Sequence, residues 1–155
     1  MLFEGGAMPG FDWAQAWRDK AAMRKRADSV EFWNNRAPSF AKTAGVSPYA
    51  RTFLELADVH EGETVFDMGA GSGTLALPLA RDGFKVFAGD FSSVMLDLMM
   101  ERAELEGIGH LITTKVMAWE DEWDAPVCDV AFASRSIATD DRVIFRALAS
   151  LATSS

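Results

Sequence analysis

Between Thr64 and Asp90 the chain reads Thr64-Val65-Phe66-Asp67-Met68, then Gly69-Ala70-Gly71-Ser72-Gly73, then a helical stretch, then Lys85-Val86-Phe87-Ala88-Gly89-Asp90. No other segment narrows the choice of fold so far. A short apolar run bounded by glycines reads as a buried strand. Three glycines at alternate positions directly after it allow a tight turn whose backbone can approach a ligand that a Cβ would push away. The helix that follows is expected over Thr74 to Arg81, with Gly83 closing it. A strand, a crossover helix and a second strand make a unit with parallel strands, since only a hairpin returns the chain in the opposite direction so briefly.

The same rhythm continues. Ser92 or Ser93 suits the N-cap of a helix whose apolar positions are Met95, Leu98, Met99 and Leu105, ending around Gly107. Leu111 to Met117 reads as a third strand and Cys128 to Ser134 as a fourth. Asp140 or Asp141 caps a last helix with Val143, Ile144, Ala147, Leu148 and Leu151 on one stripe. Ahead of the first strand, helices are expected over Phe11 to Ala27, over Ser29 to Phe40 with an end or kink near Pro38, and over Pro48 to Ala57. Strands alternating with helices predict an α/β fold, a three-layer sheet of mostly parallel strands. The chain divides into an N-terminal helical segment, residues 1–60, and an α/β domain, residues 61–155.

Composition excludes several classes. A chain of 155 residues, 49% hydrophobic and 25% charged, can build one core. Its net charge of −8 weighs against nucleic acid, which is held by clustered Lys and Arg. The cluster Arg24-Lys25-Arg26 reads as a solvated helix face rather than a binding stripe. The one cysteine, Cys128, forms no intrachain disulfide and builds no cysteine zinc site; its valine neighbours suggest a small buried side chain. No apolar run approaches the roughly 20 residues that span a bilayer. The opening residues lack a signal-peptide pattern, so a cytoplasmic location away from membranes is expected.

Two acids sharpen the reading. Asp67 stands just before the glycine turn, and Asp90 ends the second strand, where the topology places a carboxylate able to take both hydroxyls of a ribose. A nicotinamide dinucleotide is the competing ligand. Its G-x-G-x-x-G/A pattern fails here, because Thr74 holds the third small position and the third glycine comes one residue early, at Gly73. Asp67 would also stand close to the pyrophosphate, which is unfavourable.

Val65 to Gly73 resembles motif I of the class I, Rossmann-like methyltransferases that use S-adenosylmethionine: two hydrophobic residues, Asp, a hydrophobic residue, then Gly-x-Gly-x-Gly. Asp90-Phe91-Ser92 resembles the family's second motif. The resemblance implies S-adenosylmethionine as cofactor. It implies that Asp67, Met68, Gly69, Ala70, Gly71, Ser72 and Gly73 line its methionine and ribose portions, with Asp67 near the amino group. Asp90 would take the ribose hydroxyls and Phe91 would stack on adenine. After the third strand many members carry an Asp; here Ala118 stands there, with Trp119 and Glu120 beside it. The adenine contacts then fall to the backbone of Ala118 and Trp119, with or without Glu120. The stretch Trp119 to Trp123 reads equally as a solvated acidic loop with two packing tryptophans.

After the fourth strand, where the family faces the transferred methyl, stands Ala133-Ser134-Arg135-Ser136. Ser134 is taken into the site on that ground. Arg135 is open to two readings, a partner for an acidic group or a structural ion pair. The Asn-Pro-Pro-Tyr motif of nucleic-acid amino methylases is missing. His110 reads as a loop end, and neither a catalytic base nor a metal ligand is assigned; methyl transfer asks chiefly for in-line positioning. Trp33 to Phe40 resembles the helical lid of many small-molecule methyltransferases, with Arg36 either meeting the cofactor carboxylate or lying on the surface.

The family sheet has seven strands in the order 3-2-1-4-5-7-6, and four are read here. The resemblance covers Ser29 to Leu151, which predicts a domain truncated after the fourth strand and its helix. The exposed edge Val130-Ala131-Phe132-Ala133 would then invite a second copy, giving a homodimer. The function expected is an S-adenosylmethionine-dependent methyltransferase acting on a small-molecule acceptor. The alternative is a non-catalytic module that binds S-adenosylmethionine or S-adenosylhomocysteine.

Overall fold

The computed structural model describes residues 12, 15, 19, 29–119, 121, 122 and 124–134. Most of the helix read over Phe11 to Ala27, the helix read from Asp140 onward, Glu120 and Arg135 lie outside the described residues. Helix α1 (Val30–Ala41) starts at Ser29, whose Oγ accepts the Phe32 N–H at 3.2 Å. Helix α2 (Pro48–Ala57) carries Pro48 in its first turn, where the missing N–H has no partner to lose, and closes at Asp58 in the left-handed region. Then come β1 (Thr64–Met68), α3 (Ala76–Arg81), β2 (Lys85–Asp90), α4 (Ser93–Leu105), a 3-10 turn (Gly109–Leu111), β3 (Ile112–Val116) and β4 (Val130–Phe132).

The sheet order is β3-β2-β1-β4, and every pairing is parallel. This is the expected Rossmann-like arrangement. Strand residues alternate between two cores. Val65, Val86, Ala88, Ile112 and Phe132 pack with residues of α2, α3 and α4 on one face, while Phe66 and Met68 meet Met117, Trp119 and Cys128 on the other. Among the described residues no helix is long and apolar enough to cross a membrane.

Two elements contain a proline that bears on their bounds. Helix α1 carries Pro38 in its interior and runs to Ala41, one residue past the end read at Phe40. An interior proline costs about 3 kcal/mol. Packing of α1 on α4, with Ala37 fully buried, and the Trp33–Phe40 edge contact offset that cost. Helix α3 begins at Ala76 instead of Thr74. In a helix from Thr74, Pro78 would be the fifth residue, and its ring would collide with the Thr74 carbonyl it cannot bond. Starting at Ala76 puts Pro78 in the first turn, where no N–H is needed. The other ends shift by a residue or two: α4 stops at Leu105, β3 covers only Ile112–Val116, and β4 only Val130–Phe132. Gly83, at φ 91°, follows the cap residue Asp82; its N–H donates to Ala80 O, and the Phe84 N–H donates to Leu79 O.

Gly73 shows why the turn needs its last glycine. Its φ is 91°, and a Cβ there would stand 2.7 Å from Met99 Cγ of α4 and 2.8 Å from Leu77 Cγ. The absent side chain lets α4 close against the start of α3. Gly73→Ala is therefore expected to lower stability by about 2–4 kcal/mol, combining left-handed strain with overpacking. Urea unfolding measures it, and a midpoint shift worth under about 0.5 kcal/mol would show that the core yields at no cost.

Candidate functional site

The glycine turn sits at the carboxyl ends of β1 and β2, the crevice where open parallel sheets take ligands. The N–H groups of Gly69 and Ala70 both donate to Gly89 O, at 2.7 and 3.0 Å, tying the turn to β2. Gly71, at φ 55°, donates its N–H to Asp90 Oδ2 at 2.9 Å, and nothing lies within 4 Å of where its Cβ would be. The turn thus presents bare backbone to open space at Gly71. Met68, Ala70, Ser72 and Gly73 are buried, while Gly69 and Gly71 stay partly exposed.

Asp90 is 5% exposed and doubly held. Its Oδ1 accepts the Ser92 N–H at 2.9 Å and its Oδ2 the Gly71 N–H. Burial raises its pKa, while the backbone donors of Ser92, Gly71 and Phe91 pull it back. A carboxylate offers about four acceptor positions, so these backbone donors leave it capacity for a ligand hydroxyl. Asp67 differs. It is 2% exposed, and its buried Oδ2 has no hydrogen-bond partner. Burial first, and the neighbouring Asp90 charge second, push its pKa up to about 7. A buried carboxylate oxygen without a donor is costly, and this one lies beside the ligand crevice.

The other anticipated residues distribute unevenly. Phe91 is half-buried directly after Asp90. The Ala118 N–H donates to Asp121 Oδ2 at 2.7 Å, so this amide is engaged within its own turn. Trp119 is 8% exposed and packs with Phe66 and Met68. Cys128 is buried, as its neighbours suggested, and His110 is exposed in the 3-10 turn. Arg36 lies over the rings of Phe32 and Phe40 on its own helix, at 5.3 and 5.8 Å. Ser134 is joined by a residue that sequence reasoning missed: its Oγ lies 2.7 Å from the Tyr49 hydroxyl, carried in the first turn of α2. Asn34 was missed as well. Its Oδ1 accepts from Ser92 Oγ at 2.6 Å, while that same Oγ caps α4 by accepting the Met95 N–H. Both pairs are long-range, separated by 85 and 58 residues, and no local pattern signals them.

Comparison with known proteins agrees with this geometry. A family model described as a methyltransferase domain matches residues 65–153. An uncharacterized protein of Haemophilus influenzae is 39% identical over 112 residues, 70% of this chain and 41% of that protein. A ubiquinone biosynthesis O-methyltransferase of Coxiella burnetii is 29% identical over 86 residues, 56% of this chain and 37% of that one. The crystal structure of a putative O-methyltransferase from Nostoc punctiforme superposes with a TM-score of 0.64 at 18% identity, covering 79% of this chain and 37% of that one, and shows the shared fold. The chain thus spans about two fifths of the length of these relatives. With motif, sheet order and family model in agreement, the chain belongs to the methyltransferase-domain family of class I, whose cofactor is S-adenosylmethionine.

Proposed function

We propose that this chain forms the cofactor-binding part of a methyltransferase acting on a small molecule. The observation that carries the cofactor reading is the buried, unpartnered Asp67 Oδ2, on the strand that leads into the turn with the bare Gly71 backbone. S-adenosylmethionine carries an ammonium and a sulfonium, and two buried carboxylates attract such a cation. The same pair would repel the diphosphate of a dinucleotide. When bound, S-adenosylmethionine supplies a methyl group on a positively charged sulfur, ready for transfer to an electron-rich atom. Asp67 would hold the ammonium, Asp90 the ribose hydroxyls, and the Gly69 to Gly71 backbone would allow close approach. The acceptor reading is supported by the net charge of −8, unsuited to a phosphate backbone, and by likeness to an enzyme named for ubiquinone biosynthesis.

Isothermal titration tests the cofactor. S-adenosylmethionine and S-adenosylhomocysteine are expected to bind one to one, and NAD not at all; binding of NAD alone would reverse the assignment. A panel of phenolic and other small hydroxylated acceptors, with a protein and an RNA as controls, then tests the acceptor. Methyl transfer confined to the protein or the RNA would overturn the small-molecule reading.

A further inference from the structure

Beyond the nucleoside contacts, the site must hold an amino acid. The Asp67 and Asp90 carboxylates suit an ammonium and hydroxyls, but they repel the carboxylate that accompanies that ammonium. Neutral hydroxyl donors nearby would answer this. In the parallel β1–β4 register Asp67 pairs with Phe132. Gly69 and Ser134 each stand two residues further on, so both leave the sheet at the same level. Asp90 ends β2, on the opposite side of β1 from β4. A ligand with its ribose at Asp90 and its length across the glycine turn therefore directs its far end toward β4.

At that end stands the Tyr49–Ser134 hydroxyl pair, 2.7 Å apart and partly buried. Its placement is built in. Phe53, one turn after Tyr49 on α2, packs edge-on against Phe132 of β4 at 5.2 Å, and Tyr49 lies 6.0 Å from Phe53. This aromatic row holds the first turn of α2 over the carboxyl end of β4. Tyr49 is the chain's only tyrosine.

We propose that Tyr49, paired with Ser134, contacts the amino-acid half of S-adenosylmethionine and orients it for methyl transfer. The proposal rests on the cofactor reading above and assigns the role to a residue from the N-terminal helices. It has a direct test in titrations of the full chain, wild type, Tyr49→Phe and Ser134→Ala, with two probes. S-adenosylhomocysteine carries the amino-acid half, and 5′-methylthioadenosine lacks it. Tyr49→Phe is expected to weaken S-adenosylhomocysteine about tenfold or more and to leave 5′-methylthioadenosine within twofold, with Ser134→Ala acting in the same direction. Equal losses for both probes would show that the pair only shapes the fold, and no loss for either would show that it stands clear of the ligand; each result overturns the proposal. A wild-type chain that binds neither probe would overturn the cofactor reading, and the Tyr49 role with it. Binding of both probes with an unmoved ratio would overturn the Tyr49 role alone.

Discussion

Asp67→Asn should make the unliganded protein more stable at pH 8 while weakening its hold on the cofactor. The carboxyl keeps its proton up to about 7 in the folded chain, against a value of 3.8 for the unperturbed group. Between those two values the folded state binds more protons than the unfolded state, so stability falls as pH rises through the window. At 1.36 kcal/mol per pH unit, the loss amounts to roughly 4 kcal/mol at most. An amide never ionises, so the variant escapes the loss, although burying an unpartnered NH2 costs about 1–3 kcal/mol of the gain. The net expectation is about 2 kcal/mol of added stability above pH 7 and, with the avoided ionisation gone and the amide cost remaining, about 1–2 kcal/mol of lost stability at pH 4. Urea unfolding at several pH values reads it directly. Parallel profiles for wild type and variant would show that Asp67 already ionises at its ordinary pH. The same titration reaches the ligand: binding an ammonium requires the ionised carboxylate, so wild-type affinity should fall about tenfold per unit below pH 7. In the variant this slope should vanish.

The second large effect is expected at Asp90. Replacing it by Ala removes the acceptor for the ribose hydroxyls and frees the N–H groups of Gly71 and Ser92 that shape the turn. Hydrogen bonds to a charged group contribute about 1.5–3 kcal/mol each, so losing two should weaken S-adenosylmethionine at least 100-fold. Asp90→Asn separates the two roles, because its amide oxygen can still accept one backbone N–H while the charge is gone. An intermediate affinity is expected for it. If Asp90→Ala still binds within tenfold of wild type, with the fold intact by circular dichroism, the ribose assignment fails.

Much of this fold was legible because its strands are apolar runs set off by glycines. The ranges of β1 and β2 match the reading residue for residue, as does α2, whose Pro48 marks the first turn. The glycine turn and its two acids came to the same crevice because the order of strands leaves them nowhere else to go. Where the reading slipped, the causes were specific. The start of α3 was readable in principle, since Pro78 forbids a helix from Thr74. The ends of α1 came within a residue of the reading, and its tolerance of Pro38 depends on packing against α4, more than 50 residues later. Trp119 was read as lending its backbone to adenine or as a packing tryptophan of an acidic loop, and its ring does pack in the second core. The Ala118 N–H is captured by Asp121, three residues on, in an ordinary acidic turn. Tyr49 and Asn34 could not be found from spacing at all.

Ser92 holds two elements with one oxygen. Its hydroxyl has a single proton, given to Asn34 of α1, and it accepts the Met95 N–H that begins α4. The residue next to it but one is Asp90, whose carboxylate in turn fixes the Ser92 backbone. Detaching α1 therefore strips a partner from the cap of α4 and loosens the neighbourhood of the ribose acid in the same event. Traffic through the crevice and fraying of that first turn then run on one clock, as parts of a single cooperative opening.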